Sequence, residues 1–384
     1  MPFYPSRLTN SKRSLSATCR ILIFRIGELG DSIIALPALR AVREEFPRAH
    51  IGMLSNVNPQ ERHVTPNQIL PEGLIDEWLT YPSPESGTRL FDMLVLLRTL
   101  RRSRYDVLVY LTPRVRTSAV ARRDLLFFRA AGIRSAVGVD GLESLPKGHR
   151  HEPLPMVTHE ADHLLGRIAR SGIAVPEPGA AKFDLALTER EVSAANNWIQ
   201  SNVSSSHSVS LVGVGPGSKW PSKVWPEENY AEVGRRLFAD PTLVYPIIFG
   251  GPDDRGLGER LLKAWGTGAN AAGILSPRQA AAALLRCALY VGNDTGTMHL
   301  AAAVGTRCVS IMSAQDWPGR WHPYGNEHIV LRKQVTCEGC QLKICGQEAL
   351  RCLTNISVEE VVSACFQMLS RRIGSETCAA RQSA

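Results

Sequence analysis

Tyr290-Val-Gly-Asn-Asp-Thr-Gly-Thr-Met-His-Leu-Ala-Ala-Ala-Val-Gly305 reads as a short apolar strand, a tight turn and a helix of small residues. The turn puts a carboxylate, hydroxyls and bare backbone N–H groups at one helix N-terminus. Such an end carries unpaired donors and partial positive charge, which suits an anion such as a phosphate. Ordinary capping by Asp294 or Thr295 is the plainer use of the same residues. Capping needs only one such residue, however, and explains neither His299 a turn later nor the bracketing glycines.

The surrounding sequence repeats this strand-to-helix step. The pattern predicts strands at 209–214, 244–249, 271–275, 288–291, 307–311 and 328–331, with helices near 189–200, 227–238, 255–265, 277–286 and 358–369. That alternation is the signature of a parallel α/β sheet. An earlier series precedes it. Ile21-Leu-Ile-Phe-Arg25 suits a buried strand, Gly27-Glu-Leu-Gly30 a tight loop, and Asp31 or Ser32 can cap a helix that continues to Val42. Pro37 is placed within the first turns of that helix, where proline is tolerated. Strands at 51–54 and 107–110 and helices at 91–100, 119–132 and 159–171 follow, and the rest of 55–104 shows no clear pattern. At 384 residues the chain exceeds what one core usually serves. The expected organisation is an extension at 1–20, an α/β domain at 21–180 and a second at 187–370. The last helix has the option of packing back on the first domain.

Composition narrows the class. Hydrophobic residues make up 44% and charged residues 21%, and no apolar run approaches the roughly 20 residues of a membrane-spanning helix. The first twenty residues are basic and hydroxylated without an apolar core, so they read as a disordered extension, not an export signal. Net charge is +8, and the stretch Arg89–Arg134 alone holds eleven arginines and no lysine against three aspartates. This predicts a basic face able to meet an anionic substrate or an anionic membrane surface. The segment lacks interleaved aromatic residues for base stacking, and no nucleic-acid motif accompanies it. Among nine cysteines, Cys337, Cys340, Cys345 and Cys352 form a C-x2-C-x4-C-x6-C cluster. Without an export signal such a cluster points to structural zinc more than to disulfides, with unligated thiols as the alternative.

Three loops of the second half point to one ligand. Gly215-Pro-Gly-Ser-Lys219 follows a strand, and Lys223 comes before the next helix; two lysines offset much of a diphosphate's charge without a metal. Gly250-Gly-Pro-Asp-Asp254 ends another strand and offers carboxylates to ribose hydroxyls. The third is the turn at Asp294. Together they describe a nucleotide-diphosphate site at the carboxyl edge of one sheet. In the first half, Asp31 holds the matching edge, as a helix cap or as a base for an acceptor hydroxyl. Arg114 and Arg116 follow the strand at 107–110, where such sheets bind ligands. The first loop lacks G-x-G-x-x-G, which weakens a dinucleotide-dependent oxidoreductase reading.

Arg25-Ile-Gly-Glu-Leu-Gly-Asp31-Ser-Ile-Ile-Ala-Leu-Pro-Ala-Leu-Arg40 resembles the opening signature of glycosyltransferase family nine, the ADP-heptose:lipopolysaccharide heptosyltransferases and their relatives. Pro216–Pro226 resembles that family's donor phosphate loop. Asp294–Ala302 with Asp316-Trp-Pro-Gly-Arg-Trp-His-Pro-Tyr-Gly325 resembles its C-terminal motif. The resemblance implies a GT-B architecture, two Rossmann-like domains facing across a cleft, and an inverting transferase with no essential metal. It makes Asp31 the general base. Ser218, Lys219 and Lys223 become donor phosphate contacts, Asp254 a ribose contact, and Asp294, Thr295, Gly296 and His299 contacts to the donor's diphosphate and sugar. It further implies ADP-heptose as donor, an anionic glycolipid such as lipopolysaccharide core as acceptor, and a cytoplasmic site of action, with peripheral contact at the inner membrane. A sugar-nucleotide epimerase of the same architecture and a non-catalytic sugar-nucleotide binder are the alternatives.

Overall fold

The computed structural model describes residues 19–58, 64–82, 90–114, 118–142, 145–146, 152–203, 209–346 and 349–382, the last twelve of these by backbone alone. The expected extension at 1–20 therefore lies outside the described residues, except for its last two. Two compact units emerge. One comprises the chain to Pro146 with Thr158–Leu185, the other Lys147–Val157 with Ala186–Ala384. The excursion at 147–157 had no sequence signal beyond a loop. It joins the second unit through Val157 N–H donating to Pro318 O at 2.9 Å and Leu154 N–H to Glu338 Oε2 at 2.9 Å.

In the first unit β1 (Arg20–Arg25) leads through α1 (Leu29–Glu45) to β2 (His50–Val57) and then β3 (Glu77–Pro82). Next come α2 (Leu90–Ser103), β4 (Val107–Tyr110), α3 (Ser118–Ala130), β5 (Ser135–Val137) and α4 (Glu160–Ala169). The sheet order is β3-β2-β1-β4-β5, every pair parallel. Ile21, Leu22 and Ile23 of β1 are buried on both faces, as a continuous apolar run in a covered parallel sheet must be. Pro37 sits in the buried interior of α1, not in its first turns. There it removes a donor to the Ile33 carbonyl and crowds that carbonyl, a local cost the packing around it offsets.

In the second unit α5 (Glu189–Asn202) precedes β6 (Ser210–Gly215), α6 (Glu227–Leu237), β7 (Val244–Ile248), α7 (Arg255–Trp265) and β8 (Ala269–Asn270). The chain continues through α8 (Pro277–Leu285), β9 (Leu289–Asn293), α9 (Gly296–Ala303), β10 (Cys308–Met312) and β11 (Ile329–Arg332), ending in α10 (Arg351–Thr354) and α11 (Val358–Gln382). The order is β11-β10-β9-β6-β7-β8, again parallel throughout. β8 lies just ahead of the expected 271–275, which form a turn. Thr188 and Glu191 cap α5 reciprocally, and Glu191 also accepts from Arg278 Nη2 of α8 at 2.9 Å. Val361, Cys365 and Met368 of α11 are buried in this unit's core with Trp225 and Tyr230. The Trp225 and Tyr230 rings meet edge to face at 5.1 Å, and Trp225 Nε1–H donates to Ile356 O at 3.1 Å. Such a pair adds about 0.5–1.5 kcal/mol beyond its buried area.

Both sheets are doubly wound. The strand order reverses between β1 and β4 in the first and between β6 and β9 in the second. The crevice at the carboxyl ends of such a strand pair is where open α/β sheets bind ligands.

Candidate functional site

At the reversal point of the first sheet, Arg25 closes β1 and is almost wholly buried. Its Nη1 donates to Leu111 O at 2.7 Å, just past β4, and its Nη2 to Asp31 O at 2.8 Å and Asp31 Oδ1 at 3.1 Å. Asp31 Oδ2 accepts from Glu28 N–H at 2.9 Å, so the carboxylate caps the first turn of α1 from inside it, while Glu28 takes the N-cap position. Asp31 therefore acts as a cap, and its side chain stays 23% exposed at the sheet edge. Gly27, at φ +138°, takes a backbone conformation side chains avoid, and a Cβ there would overlap Asp31.

Arg114 is differently committed. Its backbone N–H donates to Glu160 Oε1 at 3.1 Å and its Nη2 to Thr158 O at 2.7 Å, with the side chain only 9% exposed. Glu160 is fully buried, so the pair anchors the start of α4 and leaves little of Arg114 for an acceptor. Buried Arg167 continues this brace with bonds to Tyr110 O, Thr112 O and Gly138 O. Arg116 lies outside the described residues.

The second sheet's reversal point gathers the other expected residues. Thr295 takes the N-cap position of α9 in extended conformation but makes no side-chain cap hydrogen bond. The Asp294 carboxylate goes instead to Lys223 Nζ at 2.6 Å. Capping is thus not what these residues do, and the N-terminus of α9 keeps its donors and partial positive charge. His299, buried one turn on, holds Nε2 4.0 Å from Asp294 Oδ1 and its ring 6.3 Å from Trp321. Trp321 Nε1–H donates to Asp316 Oδ2 at 3.0 Å, and Arg320 Nη1 bonds both Asp316 oxygens at 3.1–3.2 Å. The motif at 316–325 therefore packs beside the turn at 294–299.

Asn293 ties the turn to the loop at 215–219. Fully buried, its Oδ1 accepts from Trp225 N–H at 3.2 Å and Tyr230 O–H at 2.9 Å, while Nδ2 donates to Pro216 O at 2.6 Å. Ser218 and Lys219 follow on the same loop, Lys219 exposed. Asp254 accepts from Gly251 N–H at 2.8 Å and lies against Gly217 and Gly250, which brings the loops at 215–219 and 250–254 together. Burial pushes its carboxyl above the usual range, with Asp253 adding to the effect, against the Gly251 bond. A Cβ at Gly217 would overlap the Asp254 carboxylate. Gly217→Ala is expected to cost about 1–3 kcal/mol, seen as a lower Tm. Gly217→Ala with Asp254→Ala should lose less than the sum of the single changes, because the overlap is gone.

The cysteine loop is held through its backbone. Cys340 is exposed and Cys337, Cys345 and Cys352 half-buried, and among the described residues no three His, Cys, Asp or Glu side chains group as a metal site. The loop's backbone is bonded within the same unit: Gly339 N–H donates to Ala314 O, Gln341 N–H to Gln315 O, and Lys343 O accepts from Ser222 N–H, at 2.9–3.1 Å. Buried Ser222 adds Oγ–H to Leu342 O at 2.5 Å. Sequence reasoning missed Arg25, Asn293 and Ser222. The available signal was weak: an arginine closing an apolar strand, and an amide one residue ahead of Asp294.

Comparison with known proteins agrees with this fold. The lipopolysaccharide heptosyltransferase 2 of Escherichia coli K12 is 27% identical over 305 residues, 76% of this chain and 82% of that protein. The lipooligosaccharide heptosyltransferase 2 of Haemophilus ducreyi is 22% identical over 91% of this chain and 99% of its own length. In fold, the chain matches a family 9 glycosyl transferase of Veillonella parvula with TM-score 0.68 and 23% identity, covering 92% of this chain and 98% of that one. It matches the E. coli ADP-heptose lps heptosyltransferase II with TM-score 0.61 and 21% identity, covering 92% and 99%. The architecture is GT-B, built of two Rossmann-like domains. The family described as glycosyltransferase family 9 (heptosyltransferase) matches residues 93–350, two thirds of the chain, so this chain belongs to it and is a glycosyltransferase.

Proposed function

We propose that the protein transfers heptose from ADP-heptose to a lipopolysaccharide-core glycan with inversion at the anomeric carbon, Asp31 acting as general base. The observation that carries this reading is the uncapped N-terminus of α9 beside Lys223, at the reversal point of the second sheet. Unpaired backbone donors and an adjacent ammonium group suit a nucleoside diphosphate. The likeness to lipopolysaccharide heptosyltransferase 2 supports the sugar and the acceptor class.

In the proposed step Asp31 takes the proton of the acceptor hydroxyl as its oxygen attacks the anomeric carbon. The bond from that carbon to the phosphate oxygen breaks, and ADP leaves with the electron pair. Lys219, Lys223 and the α9 end stabilise the charge on the leaving diphosphate, so no metal is assigned a part. Ser218, Thr295 and Gly296 complete the phosphate contacts, Asp254 takes the ribose, and Asp294 and His299 orient the sugar. The acceptor's lipid places the reaction in the cytoplasm at the inner membrane face.

Incubation with ADP-heptose and heptose-deficient lipopolysaccharide should release ADP and raise the acceptor mass by one heptose, read by mass spectrometry. Failure of transfer from every nucleotide sugar in a panel would sink the reading. Conversion of the donor without acceptor would indicate an epimerase instead.

A further inference from the structure

The arginine-rich stretch is not a uniformly solvated face. α2 buries Leu96 and Leu100 against the sheet and turns one contiguous stripe outward. At 3.6 residues per turn, Leu90, Phe91, Leu94 and Val95 occupy the first half of that stripe and Arg98, Arg101 and Arg102 the second. Leu90 is 79% exposed and Phe91 69%. α3 packs beside it, with Arg101 Nε donating to Ala130 O at 2.9 Å. α3 buries Leu125 and Phe128, half-buries Phe127, and presents Leu126, 61% exposed, between Arg122 and Arg129. The stretch 89–134 sets only three acids, Asp92, Asp106 and Asp124, against its eleven arginines. Asp124 is buried under Tyr110 O–H at 2.9 Å and Arg123 at 3.2 Å, and Asp92 lies half-buried in the first turn of α2.

Topology adds the direction. In a parallel sheet each crossover helix starts at the strands' carboxyl edge, so the apolar half of α2 sits at the edge that carries Asp31. We infer that the outer face of α2 and α3 docks on an anionic phospholipid bilayer, Leu90, Phe91 and Leu94 entering the acyl boundary and the arginines meeting headgroup phosphates. Charge complementarity selects this occupant. An apolar tip behind a basic band is the pattern of interfacial helices. A second copy of the face would set arginine against arginine. The inference rests on the proposed reading in one respect, that the acceptor is lipid-borne: docking at this edge would hold the acceptor's sugar at Asp31 while its lipid stays in the membrane.

The test is co-sedimentation of the full chain with vesicles of phosphatidylcholine, alone or with about one-third phosphatidylglycerol. Wild type should partition to the anionic vesicles only, and high salt should release it. At about fivefold per arginine, Arg98→Gln, Arg102→Gln and Arg122→Gln together should weaken binding roughly 100-fold. Phe91→Ser with Leu94→Ser should weaken it roughly tenfold. Equal binding to neutral vesicles, no binding, or variants that bind like wild type would each overturn the inference. So would a wild-type dimer in ultracentrifugation that Phe91→Ser with Leu94→Ser dissolves. The vesicles contain neither donor nor acceptor, so a protein that binds them but transfers no sugar leaves the docking face standing and fails only the transferase reading. Transfer to a deacylated, water-soluble acceptor should be unchanged in both variants; its loss would assign these residues to the reaction and overturn docking.

Discussion

Asp31→Asn is expected to lower kcat for sugar transfer by about 10²- to 10⁴-fold, the range for losing a positioned general base, while donor binding by calorimetry stays near wild type. Asparagine keeps the shape and one oxygen to accept from Glu28 N–H, so the first turn of α1 survives. It cannot take the acceptor's proton. It also removes the charge opposite Arg25, which is buried but keeps its bonds to Leu111 O and Asp31 O. Some stability is therefore lost as well, and Tm must be read beside kcat. A fall in kcat that only follows a fall in folded fraction would reduce Asp31 to a cap. Wild-type kcat in Asp31→Asn would end its assignment as base, while leaving the donor site and the family membership as they are.

Asn293→Ala is expected to destabilise the protein by about 3–9 kcal/mol, since three buried groups lose their partner at roughly 1–3 kcal/mol each. These are Trp225 N–H, Tyr230 O–H and Pro216 O. The Tyr230 phenol cannot escape by ionising, because burial holds its pKa well above the usual value and keeps it a donor. Two donors converging on one side-chain atom also identify that atom as the oxygen, leaving the amide nitrogen for Pro216. Asn293→Asp does not rescue, for a carboxylate accepts the two donors but offers none to Pro216 O and buries a charge. Chemical denaturation measures the loss, which is a large share of a typical 5–15 kcal/mol. A change below about 1 kcal/mol would mean these groups find other partners and that Asn293 is not what holds the loop at 215–219 to the turn.

The two reversal points differ in how readable they were. The run Ile21–Arg25, the glycine loop and Asp31 are contiguous, and so are β9, the turn and α9; period and turn chemistry are local properties that a sequence displays. β3 and β5 escaped notice. β3 is an edge strand whose pattern is half exposed, and β5 is only three residues long. Pro37 misled in the other direction, because a helix long enough to bury ten side chains overrode the local cost of a proline in its interior. The cysteine spacing permitted a metal knuckle. Backbone bonds from Gly339 and Gln341 to the segment after β10, which the spacing does not show, hold that loop in place.

By itself the sequence determined two α/β domains, the positions of the glycine–lysine loop and turn motifs, and the confinement of the excess charge to one stretch. These follow from side-chain periodicity, glycine placement and composition, which act over a few residues. Tertiary structure alone decided that Asp294 meets Lys223 and not the α9 terminus, that Asn293 reaches Pro216, and that Arg25 and Glu28 share Asp31. It also decided that the arginines line up behind an apolar tip at the Asp31 edge. Lys223 and Asp294 stand 71 positions apart, and only the placing of β6 beside β9 brings them into contact. Strand order is settled by which sheet buries the most apolar surface with short right-handed crossovers, a property of the whole chain that no local window contains.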